Sequence, residues 1–122
     1  MSNRITKIEG LGRLVNLEQI YCSHNGVAAL EGLDNNVKLK TLDMAVNRIK
    51  KIENISQLKE IEEFWFNGNG ISEWNDLKQL ENAKGIQTVY LEGNPLQVDP
   101  NYRRKIKLAL PSLTQIDSTL CR

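Results

Sequence analysis

Nucleophiles, bases and carboxylates in this 122-residue chain are placed so that few of them can act together. His24 is the single histidine, and no Ser or Cys has a predictable base and orienting group around it, as nucleophilic catalysis requires. Glu62 and Glu63 are adjacent on an extended segment, so their side chains point to opposite faces and do not converge as an acid/base couple. A zinc site needs about four clustered ligands, and one histidine with the unclustered Cys22 and Cys121 does not supply them. Cys22 occupies an apolar position and reads as a small hydrophobe; both thiols read as free, as is usual for an intracellular protein. Arg103, Arg104, Lys105 and Lys107 read as the solvated side of a helix, without the aromatic interleaving of a nucleic-acid surface. What remains is recognition chemistry. Trp65, Tyr90 and Tyr21 combine with Asp43, Glu63, Glu92 and Asp117 into the composition of an interaction hot spot, in which a buried aromatic anchor supplies most of the energy.

These residues are positioned by a repeat. Asparagine recurs at Asn3, Asn25, Asn47, Asn69 and Asn94, in the frame apolar-x-x-apolar-x-apolar-x-x-Asn-x-apolar. Complete copies read LEQIYCSHNGV, LKTLDMAVNRI, IEEFWFNGNGI and IQTVYLEGNPL, starting at Leu17, Leu39, Ile61 and Ile86, with spacings of 22, 22 and 25 residues. A period in the low twenties with this signature marks leucine-rich repeats, units that bury their apolar face only by stacking on neighbours. The expected architecture is an α/β right-handed solenoid. A parallel sheet lines its concave side, short helices or 3₁₀ turns its convex side, and a helical cap its C-terminal end. One domain spans 1–122: a partial repeat at 1–16, repeats over 17–96 and the cap at 97–122.

Within each unit the alternation around LEQIYC predicts a short half-buried strand, and the asparagine after it predicts a ladder of amides bonding to turn backbone. Apolar pairs beyond the asparagine, such as Val27/Leu30 and Ile71/Trp74, close the core from the convex side and send Trp74 inward. LKQLENAKG, in the longest repeat, predicts a proper helix. Asp99 as N-cap, Pro100 at the first helical position and Pro111 as terminator bracket a cap helix over about 100–110, with Tyr102, Ile106, Ala109 and Leu110 on its packed side. LTQIDS then predicts a last irregular strand.

Register places two columns on the concave face: Gln19, Thr41, Glu63, Thr88 and Gln115, and Tyr21, Asp43, Trp65, Tyr90 and Asp117. Ser23, His24, Ala45, Val46, Asn67, Gly68, Glu92 and Gly93 lie near the loops. This set holds four carboxylates and no lysine or arginine, so the face is expected to be acidic although the formal net charge is +1.

With 40% hydrophobic and 25% charged residues the chain reads as a folded globular protein. Its near-zero net charge supplies no overall attraction to nucleic acid or an anionic membrane. No apolar run approaches the roughly 18 residues of a membrane span, and MSNRITKIEG lacks the apolar stretch of a signal peptide, which suggests an intracellular location. Asn3 has no strand before it, so the chain reads as the C-terminal part of a longer repeat protein. Its first layer, Ile5, Ile8, Leu11 and Leu14, would then form an exposed apolar end suited to self-association.

The IEGL and IENI turns, EFWFNGNGISEW and TVYLEGNPLQVDPNYRRKIKLALPSLTQID closely resemble the leucine-rich-repeat regulatory subunits of protein phosphatase-1, over essentially the whole chain. The resemblance implies a non-catalytic, cofactor-free protein of nucleus and cytoplasm that binds the phosphatase catalytic subunit with its concave face. It implies contact roles for Asp43, Glu63, Trp65 and Tyr90, all selected independently by register. Gln19 and Cys22 depart from the family pattern, where an acid and a leucine are expected. The competing expectation is a generic repeat adaptor of the dynein-light-chain or spliceosomal kind.

Overall fold

Every repeat contributes one three-residue extended segment, because only the residues between the first and third apolar positions lie flat against the core. The computed structural model of the chain describes residues 4–121. The strands are β1 (Gln19–Tyr21), β2 (Thr41–Asp43), β3 (Glu63–Trp65), β4 (Thr88–Tyr90), β5 (Gln115–Ile116) and β6 (Thr119–Leu120), in the sheet order β1-β2-β3-β4-β5-β6. The first four pairings are parallel and the last is antiparallel. Gln19, Thr41, Glu63, Thr88 and Gln115 stand in register, as do Tyr21, Asp43, Trp65 and Tyr90. Between the columns Leu42, Phe64, Val89 and Ile116 point into the core. Phe64 and Phe66 stack there with ring centroids 3.9 Å apart.

The asparagine ladder is continuous over the described residues, Asn3 lying outside them. Asn25 donates within its own turn, to the Cys22 and Ser23 carbonyls, and in each later rung the amide nitrogen donates to a carbonyl of its own turn and one of the preceding repeat. For Asn47 these are Met44 (2.9 Å) and Cys22 (3.0 Å); for Asn69, Phe66 (3.1 Å) and Met44 (3.0 Å); for Asn94, Leu91 (2.9 Å) and Phe66 (2.9 Å). The amide oxygen accepts from the backbone N–H of Val27, Ile49 or Ile71 respectively. Only an amide combines two donations with one acceptance at this size, which is why the position is Asn and not Asp.

The convex side differs from expectation. The helix expected at LKQLENAKG is a 3₁₀ helix over Trp74–Leu80. Its bonds, including Asp76 N–H to Glu73 and the following Ala83 N–H to Leu80 and Ile86 N–H to Ala83, all close three residues back. The buried residues explain it: Leu77, Leu80, Ala83 and Ile86 recur every third position, a spacing that a 3₁₀ turn eclipses and an α-helix would spread around its axis. Leu11, Leu14 and Leu17, and Leu33, Asn36 and Leu39, bond in the same way, so the long repeat carries one more turn of the same kind.

A second polar ladder, not anticipated, joins the convex turns. Asp76 Oδ2 accepts from Ile52 N–H, Gln79 Oε1 accepts from Ile55 N–H, and Asn54 and Gln57 donate to the Leu30 and Leu33 carbonyls. Asn36, fully buried in the slot that Leu14 and Leu58 occupy in the flanking repeats, donates to the Leu11 and Leu14 carbonyls while its Oδ1 has no partner. Both acceptor carbonyls already receive a backbone N–H, from Leu14 and Leu17. Asn36→Leu is therefore expected to stabilise the fold by about 1 kcal/mol, a rise of roughly 4 °C in thermal midpoint readable by calorimetry.

The cap helix, α1, spans Tyr102–Ala109 after a 3₁₀ turn at Pro95–Val98. Asp99 is not its N-cap. Asn101 holds that position without a side-chain bond, and Asp99 Oδ1 instead accepts from Asn101 N–H one turn earlier. Tyr102, Ile106 and Leu110, four apart, form the packed stripe; Ala109 is exposed, contrary to expectation. Three of the four basic residues have internal partners. Arg103 donates to the Ile116 carbonyl, Lys107 to those of Pro111 and Leu113, and Lys105 pairs with Asp99 while lying over the half-buried Trp74 ring. That pairing, with the Asn101 N–H, holds the Asp99 carboxyl below its ordinary range. Trp74 packs on the core edge beside Tyr102, its Nε1 donating to Asp99.

At the other end Ile5, Leu14 and Val15 are each about half exposed, whereas Ile8, expected in the same exposed layer, is 6% exposed and joins the core.

Candidate interaction site on the concave sheet

The residue before each ladder asparagine adopts a left-handed conformation: His24 (φ 58°), Val46 (φ 53°), Gly68 (φ 71°) and Gly93 (φ 75°). Val46 is the outlier, a β-branched side chain where glycine is at ease. This turn swings the chain out of the sheet and raises a rim along it. Between rim and strands lies an open groove of about 350 Å³, lined among others by Asp43, Trp65, Tyr90 and Glu92, with His24, Val46 and Asn67 on its rim side. Two carboxylates and two aromatic rings are among its walls, and neither lysine nor arginine lines it.

Trp65 is the centre of this surface. Its ring lies 6.0 Å from that of Tyr21 and 6.3 Å from that of Tyr90, tilted by 53° and 66°. Such edge-on contacts hold three large rings in one row. Tyr21 and Trp65 are two strands apart, so their rings meet above the short side chain between them. Asp43 is consequently 8% exposed, and its Oδ1 accepts from Ala45 N–H at 3.0 Å. Burial, and secondarily this carboxylate, push the Cys22 thiol up in pKa.

Hydrogen bonds orient the rest. Trp65 Nε1 donates to Glu63 Oε1 at 3.1 Å, and Gln115 Nε2 donates to the Tyr90 hydroxyl at 3.0 Å. Tyr21 is 59% exposed, while Glu63, Trp65, Tyr90 and Glu92 are half-buried.

Asp117 departs from its expected place on the open face. It has left the column with a positive φ of 55° and is 8% exposed. Oδ1 accepts from the N–H groups of Leu91 (2.8 Å) and Glu92 (3.0 Å), and Oδ2 accepts from the Tyr102 hydroxyl (2.8 Å). It ties the cap to β4. Thr41 and Thr88, also expected to project, are 7% exposed. The site that the structure assembles is thus Tyr21, Glu63, Trp65, Tyr90 and Glu92, with Asp43 at its floor.

The partnership of Gln115 with Tyr90 and of Tyr102 with Asp117 escaped sequence reasoning. Both join the cap to the sheet, and the chain's periodicity stops before the cap.

A stacked parallel sheet, an asparagine ladder and a concave aromatic groove define a protein-interaction solenoid. A family model described as Leucine-rich repeat matches residues 1–120, and the chain belongs to that family.

Among individual proteins, a 49-residue stretch is 69% identical to protein phosphatase 1 regulatory subunit 7 of Danio rerio and 62% identical to that of Homo sapiens. The stretch covers 40% of this chain and 14% of each relative. These relatives are named as regulatory subunits, and the family is one of interaction and not of catalysis. A chain of the Drosophila melanogaster SNF/U2A' complex superposes with a TM-score of 0.87 at 29% identity, over 99% of this chain and 71% of that one. Among the described residues there is no metal-ligating cluster of three or more side chains, and no helix is long and apolar enough to cross a membrane.

Proposed function

We propose that this chain is a non-catalytic regulatory module that binds the catalytic subunit of the serine/threonine protein phosphatase-1 through its concave groove, in the nucleus and cytoplasm. The observation that carries this reading is the Trp65 ring held between Tyr21 and Tyr90 and flanked by Glu63 and Glu92, a preformed aromatic anchor in an acidic setting. Its relatives' name supplies the partner. An acidic, aromatic surface fits a basic patch: the carboxylates steer encounter and register, and the anchor supplies most of the affinity.

Capture of the phosphatase catalytic subunit by the wild-type chain, by Trp65→Ala and by Tyr90→Ala tests it. Each substitution is expected to cost about 2 kcal/mol, roughly thirtyfold in affinity. Both variants must retain the wild-type thermal midpoint within a few degrees, since neither side chain belongs to the buried core. Binding that survives both substitutions unchanged would sink the proposed surface. A second reading, an adaptor for another protein, draws on the likeness to a chain of the SNF/U2A' complex; failure of the wild type to capture the phosphatase would favour it.

A further inference from the structure

Hydrogen-bond accounting in the groove shows which polar groups are left for a partner. Gln115 Nε2 lies 2.7 Å from the Asp117 carbonyl oxygen and 3.0 Å from the Tyr90 hydroxyl oxygen. A carbonyl only accepts, so the atom facing it must be the amide nitrogen, and this fixes which way the Gln115 amide is turned. Its second hydrogen then points at Tyr90, whose oxygen is the acceptor. The Tyr90 hydroxyl hydrogen is directed elsewhere. Trp65, by contrast, spends its N–H on Glu63 and offers only its ring.

We infer that Gln115, a residue of the cap strand β5, is a positioning residue for recognition: it turns the Tyr90 hydroxyl into a hydrogen-bond donor aimed at the partner. The group that receives it is a neutral acceptor, a backbone carbonyl or side-chain amide, because Glu92 and Asp43 line the same groove and a carboxylate entering it would meet like charge. The inference rests on the phosphatase reading and deepens it, assigning part of the affinity to the cap.

A double-mutant cycle tests it, with phosphatase catalytic subunit as the probe. Tyr90→Phe and Gln115→Ala are each expected to weaken binding about fivefold, the worth of one hydrogen bond. In the Tyr90→Phe background Gln115→Ala should cost nothing more, because its effect passes through the hydroxyl. Gln115→Glu should match or exceed Gln115→Ala, since a carboxylate would draw the hydroxyl proton to itself. A partner-independent readout accompanies the cycle: in nuclear magnetic resonance spectra of the unbound chain, Tyr90→Phe should shift the Gln115 side-chain amide resonances. Losses that simply add in the cycle overturn the inference, as does an amide signal indifferent to Tyr90→Phe. Capture by the wild type with Trp65→Ala defective and Gln115→Ala unaffected would defeat the inference and leave the phosphatase reading standing. Absence of capture by the wild type would defeat that reading and the partner-facing role of Tyr90 with it.

Discussion

Asn94→Ala should lower the stability of the fold by about 3 kcal/mol, a drop of roughly 12 °C in thermal midpoint. Asn94 is 4% exposed and makes three bonds of 2.9 Å, one accepted from Ile71 N–H and two donated to the Phe66 and Leu91 carbonyls. Alanine strands the Ile71 N–H and the Leu91 carbonyl where water has little access and leaves the Phe66 carbonyl only its bond from Asn69; a buried unpaired donor or acceptor costs about 1–3 kcal/mol. The loss also severs a link between consecutive repeats, and a solenoid has only nearest-neighbour interfaces to hold it. Asn94→Asp is the sharper variant. It keeps an acceptor for Ile71 but directs a carboxylate at two carbonyl oxygens, so it should be at least as destabilising despite its size. Thermal unfolding by circular dichroism reads both; an Asn94→Asp protein as stable as wild type would show that the amide's two donations are dispensable.

The ladder also shows why so much of this molecule is legible in its sequence. Each repeat states its apolar frame again, so register follows from counting, and the columns Tyr21-Asp43-Trp65-Tyr90 and Gln19-Thr41-Glu63-Thr88-Gln115 align in the sheet. Counting assigns a face to a side chain but not its exposure. Asp43 faces the concave side and is nonetheless covered, because the rings of Tyr21 and Trp65, on either side of it in its column, close above it; that depends on ring size and tilt, which periodicity does not encode. On the convex side spacing outweighs length: Leu77, Leu80, Ala83 and Ile86 recur with a three-residue period, which suits successive 3₁₀ turns and not an α-helix. Asp117 is displaced for a different reason. It sits in frame, yet the cap approaches from outside the repeat and recruits it through Tyr102, a long-range contact with no local signal.

That recruitment makes the cap the next most sensitive point of the fold. Asp117→Ala leaves the N–H groups of Leu91 and Glu92 and the buried Tyr102 hydroxyl without their acceptor, and should cost about 4 kcal/mol. Tyr102→Phe removes only the last of these bonds and should cost about 2 kcal/mol. The two losses should not add, because in the Asp117→Ala background the hydroxyl no longer has this bond to lose. Proton linkage supplies an independent test. Burial, then the Asp117 carboxylate, hold the Tyr102 phenol well above the ordinary tyrosine range. In the unfolded chain tyrosine loses its proton near pH 10, so above that pH the folded state binds more protons than the unfolded one. The stabilisation is therefore fully present below about pH 10 and is lost as pH climbs toward the higher folded-state value. Wild type should lose stability across this alkaline window, measured by denaturant unfolding at stepped pH, and Tyr102→Phe should lose less. Equal alkaline slopes in the two proteins would mean that Tyr102 ionises as readily folded as unfolded, and that the cap is held by its apolar stripe of Ile106 and Leu110 and not by the tyrosine-aspartate bond.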